Sequence, residues 1–290
     1  MRWLLGATLA SALILGGGAA EAAAPVPAQF LTRHAPILVL HPAERFAPVP
    51  VETFLADSDL VGSRYDHRGC SARDGFAALD CYDAADAAHA AAPVVYGASF
   101  RAPDGRIALQ YWLFYAYNLW SPTVPQSADF WQAHEGDWEA VTVLLDRRGR
   151  PQTLGLSRHC GGARRAWTAT ERRGARPLVY VALGSHANYF GPGRRVHDPR
   201  CWPREAVAIF RAYRVPMLDH AARGAIVTPR LVRVTARTPP WMSFSGRFGE
   251  TQYVHFPNND PIAFGAGPRG PAFHDLWRKP FRTPATWPAK

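Results

Sequence analysis

Residues 94–118 read VVYGASFRAPDGRIALQYWLFYAYN, and this stretch decides the fold. Two runs rich in β-branched and aromatic residues, 94–102 and 106–118, flank a Pro-Asp-Gly. An Asp-Gly between two such runs is a strong signal for a β-hairpin. Further strands are predicted on both sides, including ILVL at 37–40 and GDWEAVTVLLD at 136–146. We therefore predict an all-β protein, a single-domain β-sandwich with a few short helical decorations.

The composition favours a globular protein with many turns. Hydrophobic residues make up 48% of the chain and charged residues 19%, which excludes a disordered protein. The 24 glycines and 26 prolines disfavour long helices, whereas 10 Trp, 10 Tyr and 15 Phe favour strands. Short helices are predicted at 51–56 and 203–213, the second with Pro203 at its first position. No repeat or linker divides the chain, so one domain is expected over residues 23–290.

The first 22 residues are predicted to be a cleaved signal peptide. One arginine precedes an apolar stretch from Trp3 to about Leu15, and Ala20 and Ala22 occupy the small-residue positions of a cleavage site. The alternative is a membrane anchor, but the apolar run is shorter than the roughly 20 residues that a membrane span needs. The mature protein is therefore expected to be secreted or periplasmic.

Export changes the interpretation of the four cysteines. Their number is even and no two have CxxC spacing, so two disulfides fit an oxidising compartment better than a zinc site does. Three pairings are open. We predict the pairs Cys70–Cys81 and Cys160–Cys201, because this pairing is the most local one.

The net charge of +10 comes almost entirely from arginine. Such a charge permits binding to phosphates, nucleic acid or anionic lipid. The densest basic stretch, RHCGGARRAWTATERRGARP at 158–177, is predicted to be a solvated loop or hairpin between two strands. A general compositional preference for arginine explains the charge as well. No nucleic-acid partner is therefore expected, and the protein is predicted to be a monomer.

The segment HEGDWE, residues 134–139, places acidic residues at the start of a strand. Asp137 and Glu139 alternate along the strand and should share one face, with Trp138 on the other. Their carboxylates repel each other unless a cation lies between them or one is protonated. His134 can reach the same point across an intervening glycine. These residues predict a metal site for Mg²⁺, Ca²⁺ or Mn²⁺, with Zn²⁺ less suited to a single histidine.

A second polar cluster, GSHANYF at 184–190, follows another apolar strand. His186 and Asn188 have strand spacing and are predicted to share a face; with Trp138 they are candidate ligand-binding residues. Two strands that end in polar residues predict one shared cleft. A solvated strand face, pairing with arginine, and glycoside hydrolysis by paired carboxylates remain alternatives. Ser185 is disfavoured as a nucleophile because the GxSxG elbow is absent.

Five segments resemble the vacuolar protein sorting-associated protein 62 family. In chain order they are APILVLHPAERFAPVPVETFL, QYWLFYAYN, HEGDWEAVTVLL, ALGSHANYF and GPRGPAFHDLWRKP. They run from about residue 34 to residue 281, which is almost the whole mature chain. The combination of HEGDWE with GSHANY is specific. The family name denotes a sorting phenotype in yeast, so this resemblance implies no particular biochemical activity.

The same motif has a more distant resemblance to the necrosis-inducing, NPP-type secreted proteins. Their heptapeptide ends in H-x-H-D-W-E and follows a strand similar to YxWY. His134, Asp137, Trp138 and Glu139 fall on that pattern. The two residues after the first histidine depart from it, since the other family has Arg and His there. Those proteins are β-sandwiches with a divalent cation in an acidic cleft, and they bind sphingolipid headgroups on plant membranes and permeabilise them.

This resemblance implies one more metal ligand before the motif. Asn118 is the nearest equivalent, and Asp129 is the rival. The implied site therefore comprises His134, Asp137 and Glu139 with one of these two, and the implied ion is Mg²⁺ or Ca²⁺, with Mn²⁺ as a third candidate. The expected function is recognition of polar lipid or glycan headgroups, possible partners at a membrane. The alternative is a metal-dependent extracellular hydrolase of phosphoester or glycan substrates.

Overall fold

The computed structural model describes residues 25–89 and 92–282. The predicted signal peptide, residues 1–22, lies outside this part of the chain, so its cleavage and the export that it implies stay predictions. Within the described residues, no helix is both long enough and apolar enough to cross a membrane.

Short strands dominate the described part of the chain, which confirms the all-β prediction. The strands are β1 (Ile37–Leu40), β2 (Ser58–Val61), β3 (Arg64–His67), β4 (Val94–Arg101), β5 (Ile107–Trp120), β6 (Trp131–Leu145), β7 (Pro151–Arg158), β8 (Gly161–Ala166), β9 (Arg172–Arg173), β10 (Arg176–Val181), β11 (Asn188–Tyr189), β12 (Gly193–Val196), β13 (Leu218–Ala221), β14 (Ile226–Val227), β15 (Arg230–Arg233), β16 (Arg247–Phe248), β17 (Thr251–His255) and β18 (Ile262–Ala266). The α-helices are α1 (Ala28–His34), α2 (Val51–Ala56), α3 (Leu79–His89), α4 (Arg204–Ala212) and α5 (Asp275–Arg278). Short 3₁₀ helices cover Ala72–Ala78, Trp167–Ala169, Pro199–Cys201, Pro240–Ser243 and Pro271–Phe273.

Eight strands form the main sheet, in the order β15-β4-β5-β6-β17-β18, with β7 also paired to β6 and β8 to β7. The predicted hairpin is present, since β4 and β5 pair antiparallel across the Pro-Asp-Gly turn. The longest ladder joins β5 to β6, from Ile107 opposite Leu145 to Trp120 opposite Gln132. Both strands extend into the segment 119–133, which was predicted to be a loop.

A second, five-stranded sheet packs on the first, which confirms the sandwich. Its order is β11-β10-β1-β14, with β9 paired to β10. Leu38 of β1 and Val179 of β10 share a buried cluster with Val141 of β6 and its neighbours on β5. The opposite face of the main sheet buries Trp112 and Trp138 under the loops and short helices. Full burial of a large apolar side chain stabilises by about 1.5–3 kcal/mol, so the β5–β6 pair, covered on both faces, forms the centre of the fold.

The outer edge of β6 has a gap in its strand pairing, and the candidate functional site lies there. Residues 131–133 pair with β17, and residues 141–145 pair with β7. Between them, residues 134–140 have no strand partner on this edge within the described chain. Gly136 has a φ of +56°, and a Cβ there would lie 2.4 Å from the Phe248 carbonyl oxygen, so only glycine fits. HEGDWE therefore lies where β7 and β17 diverge.

Two local predictions were wrong in detail. The segment 184–190 is not a continuous strand, because β10 ends at Val181 and the chain then turns. His186 has a φ of +53°, so the predicted strand alternation of His186 with Asn188 does not apply there. The helix predicted at 203–213 is α4, and Pro203 is its N-cap rather than its first residue.

Both predicted disulfides are confirmed. Cys70 pairs with Cys81, and Cys160 pairs with Cys201, 41 residues away. Two disulfides fit an oxidising compartment outside the cytoplasm. The second bond joins the turn after β7, within the predicted β7–β8 hairpin, to the 3₁₀ helix before α4. It thereby ties together two segments that border the gap in β6.

Candidate functional site

The gap in β6 opens into a cavity of about 640 Å³. Its polar base contains four of the predicted residues, namely Asn118, His134, Asp137 and Glu139. Aromatic and basic side chains around it include Trp138, Trp202, Phe264, Phe273, Arg247 and Arg269. Concave sites with apolar walls and a few converging polar groups are typical of ligand-binding sites. Residues of HEGDWE thus line a cavity, whereas His186 and Asn188, which were predicted to share it, do not.

Asp137 is a buried carboxylate with several donors around it. His186 Nδ1 lies 3.1 Å from Asp137 Oδ2, and Asn118 Nδ2 donates to the same oxygen at 3.3 Å. Burial alone would raise the pKa of Asp137. The hydrogen bond from His186, together with its positive charge and the hydrogen bond from Asn118, outweighs burial and lowers this pKa. Asp137 is therefore ionised at neutral pH.

Glu139 has the opposite electrostatic environment. Burial, together with the negative charge of Asp137, holds the pKa of Glu139 well above its usual range. The Ser157 hydroxyl donates to Oε2, and the His159 backbone N–H donates to Oε1 at 3.3 Å. Protonation of Glu139 is one of the two ways in which the predicted repulsion between these carboxylates can be relieved. A cation between them is the other.

His186 is a buried cation behind the cavity wall. Its Nε2 lies 3.6 Å from Glu44 Oε1, and its ring stacks on Tyr115 with centroids 3.8 Å apart. Burial would lower the pKa of His186, but the charges and hydrogen bonds of Glu44 and Asp137 raise it to about 9. The Gly184 N–H also donates to Glu44, at 2.6 Å. His186 does not line the cavity; it positions Asp137. Sequence patterns gave no sign of Glu44, which lies in an irregular segment.

His134, Asn118 and Trp138 each present a polar atom at or near the cavity. His134 Nδ1 lies 3.0 Å from the Gly136 carbonyl oxygen, and donation there leaves Nε2 as the atom for a ligand. Asn118 Oδ1 is buried and has no hydrogen-bond partner within the described residues. The same holds for Trp138 Nε1, whose ring packs on Phe114. These atoms can bind a ligand without breaking an existing bond.

Besides His186, two predicted residues lie away from the cavity lining. Asp129 is exposed in the loop between β5 and β6, where its carbonyl oxygen accepts a bond from His255. Asn188 is buried in β11, and its side-chain amide has no partner within the described chain. Of the two residues proposed as the additional metal ligand, Asn118 is therefore the one at the cavity.

Glu135, the first acid of HEGDWE, lies away from the cavity and accepts hydrogen bonds from three other segments of the chain. Tyr82 OH donates to Oε1 at 2.6 Å, while the backbone N–H groups of His67 and Glu250 donate to Oε2 at 3.2 and 3.1 Å. Burial raises the pKa of Glu135 to about 7. Only two of the three acids in the motif therefore face the site.

The donors at the base of the cavity fit a divalent cation in kind. Two carboxylates, one unpartnered amide oxygen and one imidazole nitrogen form an oxygen-rich set of the type that Ca²⁺ and Mg²⁺ prefer. The atoms are less tightly gathered than in a second group. Within the part of the chain that the structure describes, His159, His197 and Asp219 are the three residues whose ligand atoms all lie within 4.8 Å of one another. This second group could hold a metal ion.

No sequence pattern predicts this second group, because its members come from separate segments. His159 follows β7, His197 follows β12, and Asp219 lies in β13. Neither a motif nor a periodic pattern links them. His159 also lines the main cavity, and its backbone donates to Glu139, so the two groups are neighbours.

Comparison with curated proteins confirms the sequence resemblance. Vacuolar protein sorting-associated protein 62 of Saccharomyces cerevisiae is 28% identical over 211 residues, which are 60% of this chain and 42% of that protein. A second yeast protein of the same kind, TDA6, is 27% identical over 190 residues, 51% of this chain and 38% of that protein. The chain thus matches less than half the length of either relative. No family model matches it.

The chain also has similarity to solved structures, at low sequence identity. One is described as NLPPya in complex with glucosamine, with 16% identity, a TM-score of 0.38, and coverage of 72% of this chain and 75% of that one. Another is described as a toxin fold for microbial attack and plant defense, with 18% identity, a TM-score of 0.38, and coverage of 72% and 76%.

Proposed function

We propose that this chain is an exported binding protein whose cavity holds a divalent cation and recognises a polar lipid or glycan headgroup. Asp137 and Glu139 are the principal metal ligands, with His134 and Asn118 beside them. The ion is Ca²⁺ or Mg²⁺, with Mn²⁺ as the third candidate. The observation that carries the proposal is the pair of buried carboxyl groups at the unpaired edge of β6, at the base of an accessible cavity.

Charge balance supports a cation at this pair. Burial and the negative charge of Asp137 raise the pKa of Glu139, whereas the hydrogen bond and charge of His186 lower the pKa of Asp137, so only one of the two carboxyl groups is ionised. A divalent ion would let Glu139 ionise as well, because its positive charge would offset the cost of burying a second negative charge. The buried oxygen of Asn118 would gain a partner at the same time. When bound, the ion supplies a Lewis-acidic point for hydroxyl or phosphate oxygens.

The shape and lining of the cavity support a headgroup as the ligand. A volume of about 640 Å³ lies within the usual range of small-molecule sites. Trp202, Phe264 and Phe273 offer flat apolar surfaces to the C–H faces of a sugar, while Arg247 and Arg269 offer donors to hydroxyl or phosphate oxygens. A cavity lined by both acidic and basic groups suits a zwitterionic or polyhydroxylated group.

Co-sedimentation with liposomes and binding to a glycan array test this function. The mature protein would be assayed with Ca²⁺ or Mg²⁺ and again with a chelator, and Trp202→Ala would report on the aromatic wall. Binding that needs the ion and is weakened by the substitution supports the proposal. Absence of ion-dependent binding across anionic, zwitterionic and glycosylated lipids and the glycan array would contradict it.

A metal-dependent hydrolase of phosphoester or glycan substrates is the second candidate. One observation favours it: paired carboxyl groups, one protonated and one ionised, are the arrangement that acid–base chemistry uses. In that role Glu139 would donate a proton and Asp137 would hold the ion or orient water. Turnover of chromogenic phosphoester and glycoside substrates that is lost in Glu139→Gln would establish hydrolysis. Inactivity across both substrate classes would leave binding as the function.

A further inference from the structure

A cluster of two histidines and one aspartate lies in the wall between the main cavity and a second one. Asp219 is fully buried; one carboxylate oxygen lies 2.7 Å from His159 Nε2 and the other lies 2.8 Å from His197 Nε2. All three ligand atoms lie within 4.8 Å of one another. Bonds to Zn²⁺ of about 2.0–2.2 Å allow two ligand atoms to be at most about 4.4 Å apart. Small movements would let the three side chains share one ion.

Hydrogen bonding leaves part of this cluster unsatisfied. His197 Nε2 is buried and makes no hydrogen bond within the described residues, despite its closeness to Asp219. Asp219 itself is well oriented, because Ser185 Oγ and Tyr189 OH donate to its two oxygens at 2.7 and 2.5 Å. Outer hydrogen bonds of this kind are the usual support of a metal-binding carboxylate. The cluster thus combines a well-oriented carboxylate with a buried histidine nitrogen that lies 2.8 Å from it without a well-aligned hydrogen bond.

We propose that His159, His197 and Asp219 form a transition-metal site of the Zn²⁺ class, separate from the oxygen-rich set around Asp137. Two imidazoles and one carboxylate suit zinc and related ions, whereas Ca²⁺ and Mg²⁺ favour oxygen donors. Three protein ligands leave a fourth position open. Both histidines line a second cavity of about 320 Å³, which gives solvent and small ligands access to that position.

The surrounding charges define the ligand class for the open position. Arg200 lines the second cavity but is paired with Asp198, whose Oδ1 lies 2.9 Å from its Nε. Arg158 lies over the Tyr189 ring, 5.2 Å from its centroid, in the same cavity. A divalent ion on one carboxylate keeps a net charge of +1, and Arg158 adds to it. The site therefore favours an anionic oxygen ligand, such as a phosphate or a carboxylate.

Trp202 opposes metal binding in the present arrangement. Its Nε1 lies 3.2 Å from His197 Nδ1, and an indole N–H only donates. Nδ1 therefore accepts, and the His197 proton lies on Nε2. A cation at Nε2 requires that proton to move to Nδ1, so the indole N–H has to give up its bond. Removal of the indole N–H should strengthen metal binding.

Calorimetric titration with Zn²⁺ tests the site on full-length mature protein freed of metal by chelator. We expect one saturable site in the wild type, not displaced by excess Ca²⁺. His159→Gln should weaken it at least 100-fold, since changes outside the ligand sphere already cost about 10–100-fold. Trp202→Phe should bind Zn²⁺ more tightly than the wild type. Inorganic phosphate added to the zinc-loaded protein should bind in the same instrument.

Asp129→Asn is the control, because Asp129 is an exposed loop acid that lines neither the main nor the second cavity. It should retain the wild-type affinity for Zn²⁺. Absence of saturable Zn²⁺ binding in the wild type would overturn the proposal, as would equal affinity in His159→Gln. Unchanged or weaker binding in Trp202→Phe would contradict coordination through His197 Nε2. Ca²⁺ binding by the acidic set is measured separately, so either site can fail without the other.

Discussion

Replacement of His186 by Gln should destabilise the protein by about 3 kcal/mol at pH 6. The imidazolium of His186 lies between Asp137 and Glu44, 3.1 Å from one carboxylate and 3.6 Å from the other. Its pKa is about 9 in the folded protein against an ordinary value of 6.5. Each pKa unit corresponds to about 1.4 kcal/mol, which gives about 3 kcal/mol. Removal of one partner of a buried ion pair typically costs about 3–5 kcal/mol, in agreement.

The effect of this substitution should depend on pH in a defined direction. Because the folded-state pKa of His186 is raised, its contribution is complete below pH 6.5 and is lost as the pH rises to about 9. The difference in unfolding free energy between the wild type and His186→Gln should therefore shrink across that interval. Urea denaturation between pH 6 and 9.5, with chelator present, measures it.

His34→Gln is the matched control for this prediction. His34 is also buried and its Nδ1 bonds to the Ala175 carbonyl oxygen at 2.9 Å, but burial lowers its pKa, so it is neutral above pH 6.5. The loss of unfolding free energy caused by His34→Gln should therefore be constant between pH 7 and 9.5. A loss of unfolding free energy in His186→Gln that is below about 1 kcal/mol at pH 6, or that does not change with pH, would refute the buried ion pair.

Three further substitutions test other parts of the structure. Burial raises the pKa of Glu135 to about 7, so its contribution to stability, about 3 kcal/mol, should be lost as the pH rises from about 4.5 to 7. The decline in stability measured by thermal melts should therefore be smaller by about that amount in Glu135→Gln than in the wild type, and an equal decline in both proteins would count against it. Gly136→Ala should lower the unfolding free energy, measured by urea denaturation, by more than about 2 kcal/mol, because a Cβ at φ +56° would lie 2.4 Å from the Phe248 carbonyl oxygen. A decrease of less than about 0.5 kcal/mol would disprove this crowding. Removal of the Cys160–Cys201 disulfide by a double Ala substitution should lower stability by about 3–4 kcal/mol, given its separation of 41 residues, and unchanged stability would be the contrary result.

The central strands of the fold could be predicted from the sequence. Strong local signals produced the β4–β5 hairpin and the Ile37–Leu40 strand, because turn chemistry and β-branched residues act on near neighbours. Both disulfides were also predicted, since compartment and spacing constrain them. The alternation of Asp137 and Glu139 followed from strand geometry alone.

The remainder of the site depended on contacts that no local pattern encodes. Glu44 reaches His186 because β1 and β10, which are far apart in the sequence, pair side by side in one sheet, and Asp219 meets its two histidines from three separate segments. His186 adopts a left-handed conformation, so strand spacing misplaced it. Glu135 belongs to the same motif as the cavity residues but turns into the core, because Tyr82 and two backbone N–H groups bind it there.

The most direct test of the proposed cation site is calorimetric titration of chelator-treated protein with Ca²⁺ and Mg²⁺, for the wild type, Asp137→Asn and Asp129→Asn. Asp129 is the exposed loop acid that does not line the cavity, so its substitution is the matched control. We predict one saturable site in the wild type, retained in Asp129→Asn and lost in Asp137→Asn. Absence of binding in the wild type, or equal binding in Asp137→Asn, would contradict a cation site at the gap in β6.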